Sequence, residues 1–470
     1  MKFKNLILGM FMAASVAATA SDARYVFYFI GDGMGMGPVL TAETYNREIL
    51  KNDKPLLMMQ FPVVGWCTTY SASSMITDSA AAGTALSTGT KTKNSMLGMG
   101  PDTTSVTSIA RFFKDDGFGV GIVTSVAPDD ATPGAFYAHV PNRKDFYTIG
   151  RQAAESGYEF IAGAGLRGVT DKKGNPTDLL DVMKANDVRV VYGPEELKTV
   201  GTERVMLVNN HGTPDYNIGY TIDSVAGGLT LPMMTEACLD RLMKTSPDRF
   251  FMMVEGGNID HALHANDGGT AIVEIFNFNE ALKVAFDFYL AHPDETLIVV
   301  TADHDTGGMV LCHPKGKKYV SHVEYFKKQR MSKEAFSEYC KSLIRNDRDY
   351  TWADMKAFLE KNTGLFSLIP VDGDDETSLR ESFEESFEQH RDSDQKTLYA
   401  SFNAFAAKVY KLINDAAGIK YTTLSHSGNP VPVFAVGAGS DLFKSYNDNS
   451  NLPRLILEAA GKDPGLLDRK

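Results

Sequence analysis

Short apolar runs, separated by segments with the polarity pattern of helices, recur along most of the chain. Eight of these runs have the length and the β-branched or aromatic content of strands, and several contain almost no polar residue. Strands of this kind are buried on both faces, which is typical of a parallel sheet covered by helices. The expected strands are residues 25–30, 63–70, 120–124, 188–191, 204–208, 250–254, 296–301 and 431–436.

The order of these runs predicts an α/β fold, a doubly wound and mostly parallel sheet flanked by helices, over residues 21–470. Between residues 315 and 420 the composition shifts to charged, helix-forming residues, which predicts a helix-rich insertion over the core. Its most acidic part, residues 372–396, holds ten acidic residues against three basic ones. A run of this kind is most often a solvated helix face.

Residues 1–20 have the pattern of an export signal. Lys2 and Lys4 form a basic end, residues 6–16 are apolar, and Ala18-Thr19-Ala20 matches an A-x-A cleavage site. We therefore expect cleavage after Ala20 and export to the periplasm or the extracellular space. Later apolar runs are too short to span a bilayer, so we expect no transmembrane segment.

The balance of charges excludes one class of partner. The chain has 47 basic and 59 acidic residues, a net charge of −12, whereas nucleic-acid binding needs a basic surface. An anionic substrate would therefore need local positive charge. The four cysteines, Cys67, Cys238, Cys312 and Cys340, allow two disulfides in three pairings, a single bridge or buried free thiols, and the sequence leaves these alternatives open.

Residue types that bind metals cluster where four of the predicted strands end or begin. In an open parallel sheet, ligands bind beyond the carboxyl ends of the strands, so we expect these side chains to meet at one edge. Taken singly, each pattern has an ordinary explanation, such as a capped strand end or a surface pair. Imidazole combined with carboxylate suits Zn²⁺, and oxygen-only sets suit Mg²⁺. The residues are Asp32, Glu255, Asp260, His264, Asp303, His304 and His426.

Ser79 is the candidate nucleophile. Small residues follow it, in Ser79-Ala80-Ala81-Ala82-Gly83, and favour a closely packed helix. A serine at the start of such a helix would face unpaired backbone N–H groups, which form an anion site, although an ordinary N-cap serine is the alternative. A serine hydroxyl needs a base or a metal to activate it. Since no Ser-His-Asp or G-x-S-x-G pattern surrounds Ser79, activation by a metal is the simpler explanation.

Taken together, these segments resemble the alkaline phosphatase family, whose members are phosphomonoesterases with two zinc ions and one magnesium ion. The resemblance is carried by Asp-Ser-Ala, Glu-Gly-x-x-Ile-Asp-x-x-x-His, Ala-Asp-His and Ser-His-x-Gly, in this order between residues 25 and 440. It implies an alkaline-phosphatase-like fold. It also implies that the partners are small phosphate monoesters and inorganic phosphate.

The resemblance further implies a role for individual residues. Asp260, His264 and His426 would hold the first zinc ion. Asp32, Ser79, Asp303 and His304 would hold the second. Asp32, Thr132 and Glu255 would hold magnesium. Arg143 would bind the phosphate of the substrate, and Asp130 and His261 would stand behind the metal ligands.

The implied reaction is the hydrolysis of monoesters to an alcohol and inorganic phosphate through a phosphoserine on Ser79, with a broad substrate range. Phosphodiesterases, sulfatases and metal-dependent phosphoglycerate mutases share the superfamily, so another ester substrate is the second hypothesis. A metal-binding protein with an inactive site is the third. Members of the family carry Lys or His at the position of His261, which leaves the third metal and the pH optimum open. Assembly as a homodimer is also left open.

Overall fold

The structure, a computed structural model, describes residues 22–209, 216–223, 228–346, 350–391 and 394–468. The export signal predicted for residues 1–20 lies outside the described residues. Within the part of the chain that is described, none of the helices has the length and hydropathy that a bilayer crossing requires.

The elements alternate along the chain as the sequence predicts. The strands are β1 Tyr25–Gly31, β2 Val63–Thr68, β3 Gly119–Thr124, β4 Phe160–Ala162, β5 Val188–Tyr192, β6 Arg204–Val208, β7 Phe250–Glu255, β8 Thr296–Ala302, β9 Asp305–Thr306, β10 Val310–Leu311, β11 Gln395–Lys396, β12 Ser401–Phe402, β13 Ile419–Lys420, β14 His426–Ser427, β15 Val431–Gly437 and β16 Ser445–Asp448. The α-helices are α1 Met36–Glu48, α2 Ser79–Thr88, α3 Ile109–Asp115, α4 Ala131–Gly134, α5 Phe146–Glu155, α6 Leu179–Ala185, α7 Gly193–Leu197, α8 Leu231–Thr245, α9 Gly257–His264, α10 Gly268–Ala291, α11 Lys333–Arg345, α12 Trp352–Asn362, α13 Gly373–Phe383, α14 Ala404–Ala417 and α15 Leu452–Ala459.

A single ten-stranded sheet has the order β16-β2-β15-β8-β1-β7-β3-β4-β6-β5. Strand β1 lies in its interior and runs parallel to β7 on one side and to β8 on the other. The chain extends the sheet in both directions from β1, so the doubly wound, mostly parallel fold is confirmed. Strand β15 departs from the parallel pattern, because it runs antiparallel to both β2 and β8.

Helices cover both faces of the sheet. Every residue of β1, β7 and β8 is buried. In β7, the ring of Phe250 packs at a tilt against that of Phe288 of α10, with 5.6 Å between the ring centroids, and the next residue, Phe251, stacks on Phe113 of α3 at 5.1 Å. Successive side chains of a strand point to opposite faces. Helices α3 and α10 therefore cover opposite faces, as a continuous apolar strand requires.

The strand boundaries differ from the sequence prediction at few places. The strand expected over residues 63–70 ends at Thr68. Two strands of the sheet were not predicted. Strand β4 has three residues, and β16 has the largely polar sequence Ser-Tyr-Asn-Asp. A polar strand at the edge of a sheet carries no apolar run and resembles a loop in sequence.

The region between residues 315 and 420 is helix-rich, as predicted, and contains α11 to α14 together with the small hairpin of β11 and β12. Helix α13 carries much of the acidic run. It buries Leu379 and Phe383, and the ring of Phe383 contacts Phe405 of α14. Its charged residues are largely on the exposed side, which agrees with a solvated helix face.

All four cysteines lie in the described part of the chain, and all are free thiols. Cys67, Cys238 and Cys340 are buried, and Cys312 is exposed. The alternatives with disulfides are therefore wrong, and the fold is held by its core rather than by cross-links.

Candidate active site at the edge of the sheet

The four segments with metal-type ligands meet at one edge of the sheet. Strands β1, β7 and β8 all end there, because they are parallel. His426 precedes its strand rather than following it. The antiparallel direction of β15 brings the start of that strand to the same edge. A short antiparallel pairing of β14 with β9 then sets His426 opposite Thr306.

The first group of candidate ligands consists of Asp260, His264 and His426. Asp260 and His264 lie on helix α9, so the predicted i, i+4 pair on one helix face is confirmed. Nε2 of His264 is 3.4 Å from Oδ2 of Asp260. Nε2 of His264 is also 3.1 Å from Nε2 of His426, which lies 3.9 Å from Oδ1 of Asp260.

Backbone carbonyls fix the orientation of these two imidazole rings. Nδ1 of His264 is 2.6 Å from the carbonyl oxygen of Leu424, and Nδ1 of His426 is 2.8 Å from that of Thr77. A carbonyl oxygen only accepts, so each Nδ1 donates, which leaves Nε2 of each ring directed at the site. Burial, together with the nearby His304, lowers the pKa of His426 to about 3, so this ring is neutral near pH 7. Nε2 of His426 therefore offers a lone pair to a cation at this point, 3.1 Å from Nε2 of His264.

The second group of ligands surrounds His304. Nε2 of His304 is 3.1 Å from Oδ2 of Asp303, 3.4 Å from Oδ1 of Asp32 and 3.2 Å from the hydroxyl of Ser79. The rings of His304 and His426 are stacked, with 3.6 Å between their centroids. The two groups of ligands therefore adjoin each other.

A third, oxygen-only group lies beside the second. Glu255 ends β7 and accepts a hydrogen bond from the hydroxyl of Thr124. Thr132 is the second residue in the single turn of α4, whose N-cap residue is Asp130. Burial raises the pKa of Glu255 to about 8. Burial, reinforced by Asp303 and other nearby carboxylates that include Glu255, also raises the pKa of Asp32 well above its usual range.

Several buried oxygens at this edge have no hydrogen-bond partner among the described residues. An unpaired polar group in the interior is costly, and an unpaired carboxylate more so. Five of these atoms belong to the three groups of ligands, and a further one, Oδ1 of Asn258, lies on the first turn of α9. The edge thus has a concentration of negative charge that divalent cations would compensate. The five atoms of the ligand groups are Oδ1 of Asp32, Oγ1 of Thr132, Oε1 of Glu255, Oδ2 of Asp260 and Oδ2 of Asp303.

Ser79 is the first residue of helix α2, and the residue before it is the N-cap. The side chain of Asp78 accepts a hydrogen bond from the backbone N–H of Ala81, at 3.0 Å. The alternative that Ser79 is an ordinary N-cap serine is therefore wrong, because Asp78 performs that role. The Ser79 hydroxyl is left to face His304 at the positive end of the helix.

Arg143 lies between two carboxylates next to Ser79. Its guanidinium donates to Oδ1 of Asp130 at 2.9 Å and lies 3.7 Å from Oδ2 of Asp78. Its backbone N–H donates to the carbonyl of Ser95 at 2.8 Å, and the backbone N–H of Ser95 donates to Asp78. Arg143 thus forms one network of polar contacts with Asp78, the N-cap of α2, and Asp130, the N-cap of α4.

Sequence reasoning missed several residues of the site, among them Arg167, Thr306 and Gly33. Arg167 lies 3.4 Å from Oδ2 of Asp130. The hydroxyl of Thr306 donates to Asp260. The sequence could have indicated Thr306, since this residue falls in the polar segment directly after β8. Gly33 has a φ of +69°, and a Cβ there would be 2.7 Å from Oδ1 of Asp260. The left-handed conformation of Gly33 therefore lets the backbone approach the first group of ligands closely.

Asp130 has two cationic partners, Arg143 and Arg167. Burial acts to raise the pKa of Asp130, but the two guanidinium groups overcome it and hold that pKa below its usual range. His261 packs against the ring of Tyr399, with 4.0 Å between the centroids, and burial lowers the pKa of His261 to about 4. Tyr399 comes from the helix-rich region and had no sequence signal.

Residues 23–462 of the chain match the family model for alkaline phosphatase. The chain belongs to the alkaline phosphatase family. This membership confirms the resemblance seen in the motifs, and it confirms the enzyme class predicted from them, a phosphoric monoester hydrolase.

Alkaline phosphatases from several organisms are similar to the chain over most of their length. Alkaline phosphatase 4 of Bacillus subtilis is 27% identical over 450 residues, which cover 93% of this chain and 89% of the relative. The solved structure of the cold-active alkaline phosphatase from the psychrophile Shewanella sp. is 25% identical, with a TM-score of 0.78, over 93% of this chain and 99% of the other. That of Thermus thermophilus is 26% identical, with a TM-score of 0.76, over 97% and 96%.

Proposed function

We propose that this alkaline phosphatase hydrolyses phosphate monoesters to an alcohol and inorganic phosphate through a phosphoserine on Ser79. The position of Ser79 carries the proposal. Its hydroxyl is free of capping, stands at the N-terminus of a ten-residue helix, and lies 3.2 Å from Nε2 of His304. Arg143 lies beside the same helix terminus, because its guanidinium is 3.7 Å from Oδ2 of the N-cap residue Asp78.

The donor sets fit two zinc ions and one magnesium ion. The first two sets combine imidazole nitrogen with carboxylate oxygen, which zinc favours, and the third is all oxygen, which magnesium favours. Each unpaired buried oxygen at the edge would gain a partner. We assign the first zinc to Asp260, His264 and His426, the second to Asp32, Ser79, Asp303 and His304, and magnesium to Asp32, Thr132 and Glu255. When bound, such ions lower the pKa of a hydroxyl and stabilise the charge on a leaving oxygen.

The reaction that follows has two displacements at phosphorus. The hydroxyl of Ser79 gives its proton to solvent and its oxygen attacks phosphorus, the ester P–O bond breaks, and the alcohol leaves with a proton from solvent. Water then attacks the phosphoserine from the side that the alcohol vacated, which releases inorganic phosphate and returns the proton to Ser79. Each displacement is in line, and the chain needs no further nucleophile.

Arg143 and the N-terminus of α2 stabilise the phosphoryl oxygens during both steps. The planar guanidinium can hold two oxygens at once, which an ammonium group does not do. Asp130 and Asp78 flank it and keep it aimed at Ser79. Removal of one such preorganised donor typically costs about 3 to 4 kcal/mol in the transition state.

These contacts all go to the phosphoryl group and its two apical oxygens. The remainder of the substrate is weakly recognised, so we expect a broad range of monoesters. Diesters lack one charged oxygen, and sulfate esters carry less charge, so the cationic site favours the monoester dianion over both.

We also propose export of the protein. The support is the sequence of residues 1–20, with two lysines, an apolar stretch and the Ala18-Thr19-Ala20 site. N-terminal sequencing of the exported protein should begin at Ser21. A mature protein that retains Lys2 and Lys4 would contradict this.

The function is tested with one preparation of purified protein, assayed on an aryl phosphate monoester, the matching diester and an aryl sulfate. We expect turnover of the monoester to exceed that of the other two, to disappear after chelation and to return with zinc and magnesium. Full turnover after complete removal of the metals, or a preference for the diester, would contradict the proposal.

A further inference from the structure

A hairpin of the helix-rich region reaches over the site. Strands β11 and β12 pair antiparallel, with Lys396 opposite Ser401. A tight turn joins them, in which the backbone N–H of Thr397 donates to the carbonyl of Ala400 at 2.9 Å. Leu398 and Tyr399 are the two residues at the tip. The side chain of Leu398 faces solvent, whereas that of Tyr399 faces the ligands.

The base of this hairpin is anchored to the site. Lys333 is buried, at 2% exposure, and its Nζ donates to Oε1 of Gln395 at 2.6 Å and to the carbonyl of Ala265 at 2.7 Å. The same ammonium group lies 4.6 Å from the centroid of the Phe402 ring. Ala265 directly follows the last residue of α9. One buried cation therefore ties both strands of the hairpin to the helix that carries Asp260 and His264.

The ring of Tyr399 closes one side of the site. Its centroid is 4.0 Å from that of His261 and 5.2 Å from that of His264. The Tyr399 phenol interacts electrostatically with Arg143 and Asp260, so it lies among the charged groups of the site. A phenol is neutral at pH 7 and can donate a hydrogen bond. Its hydroxyl has no hydrogen-bond partner within the described ranges.

We propose that Tyr399 is a phosphate-binding and specificity-determining residue, whose hydroxyl donates to a phosphoryl oxygen beside Arg143 and whose ring excludes a second ester substituent. This inference rests on the proposed function. A neutral donor without a protein partner, held next to a cationic phosphate ligand, is complementary to an anionic oxygen. In a diester, one more oxygen carries an organic group, which would meet the aromatic wall of Tyr399 and His261.

The test uses the enzyme loaded with zinc and magnesium, in the wild-type form and as Tyr399→Phe, Tyr399→Ala and Leu398→Ala. Leu398→Ala is the matched control, since it lies in the same turn and is 59% exposed. Binding of inorganic phosphate is measured by calorimetry, and kcat and KM are measured for an aryl monoester and an aryl diester. Metal content is measured for each variant.

The hydroxyl is tested by Tyr399→Phe, which keeps the ring on His261. We expect about tenfold weaker phosphate binding and a similar rise in the KM for the monoester, in the range of a hydrogen bond to a charged group, with a smaller change in kcat and unchanged metal content. The wall is tested by Tyr399→Ala, which should also raise the turnover of the diester relative to the monoester. Leu398→Ala should behave as the wild type.

Two results would overturn the inference. If Tyr399→Phe binds phosphate as tightly as the wild type, the hydroxyl does not contact phosphate. If Tyr399→Ala leaves the ratio of diester to monoester turnover unchanged, the ring does not exclude the second ester substituent. Phosphate binding does not depend on turnover. A wild-type protein that binds phosphate through Tyr399 but fails to hydrolyse monoesters would therefore refute the proposed function and leave the hydroxyl contact standing.

Discussion

The hydroxyl of Ser79 lies 3.2 Å from Nε2 of His304, although 225 residues separate them in the sequence. Two features produce this contact. Asp78 caps helix α2, so the serine is free to face the sheet. Strand β8 ends at the edge where α2 begins, which places His304 opposite the helix terminus. The proposed nucleophile, a proposed metal ligand and the positive end of a helix therefore coincide at one point.

Arg143→Lys should weaken the inhibition by inorganic phosphate by roughly 10- to 100-fold, because an ammonium group cannot hold two oxygens at once. The inhibition constant against an aryl monoester is the measurement. Arg151→Lys is the matched control, since Arg151 forms an exposed ion pair with Glu155 on α5. Unchanged phosphate inhibition in Arg143→Lys would show that the guanidinium does not bind the substrate.

Asp78→Ala should destabilise the protein by about 0.5 to 2 kcal/mol, because it removes the cap of α2. It should also reduce turnover, since Arg143 loses one of its two flanking carboxylates. Asp78→Asn can still cap the helix and should retain most of the stability. Urea unfolding of both variants, compared with Asp374→Ala on the exposed start of α13, measures the difference. Equal stability of Asp78→Ala and the wild type would contradict the capping role.

Removal of the metals should lower the melting temperature as well as the activity. A cation present at 100 times its dissociation constant stabilises the folded state by about 2.7 kcal/mol. The unpaired oxygens of Asp32, Glu255 and Asp260 indicate that this stabilisation is needed. Calorimetry before and after chelation checks it, and adding zinc and magnesium back should restore the transition. The same melting temperature in both forms would argue against bound cations at this edge.

The metal-free protein should also become less stable as the pH rises. Burial raises the pKa of Glu255 from 4.5 to about 8, so the folded state holds a proton that the unfolded state releases above pH 4.5. The unfolding free energy therefore falls between about pH 4.5 and pH 8. Urea unfolding of the chelated protein at several pH values measures this, with Glu255→Gln as the comparison. If Glu255→Gln leaves the pH dependence of the unfolding free energy unchanged, groups other than Glu255 cause that dependence.

Much of the site was predictable because its ligands follow apolar strands. Asp32, Glu255 and Asp303 stand at the ends of buried parallel strands, and their convergence is a property of the sheet. The spacing of Asp260 and His264 indicated one helix face, which α9 provides. In these cases a local pattern determined a position in the fold.

Other features depend on packing that no local pattern encodes. The direction of β15 is set by its neighbours β2 and β8, and this direction is what brings His426 to the edge. Arg167 and Tyr399 come from a short turn and from a hairpin tip, where a single polar or aromatic residue is indistinguishable from surface. The polar edge strand β16 was missed for a similar reason.

The central claim is a covalent phosphoserine at Ser79, and trapping it is the most direct test. The enzyme is mixed with a phosphate monoester, quenched in acid during turnover, digested and analysed by mass spectrometry. The controls are Ser79→Ala and Ser87→Ala, a buried serine of the same helix that donates to the carbonyl of Ala135. We predict phosphate on Ser79 in the wild type and in Ser87→Ala, and no phosphoenzyme in Ser79→Ala. Turnover that persists in Ser79→Ala, or phosphate trapped on a different residue, would contradict the account.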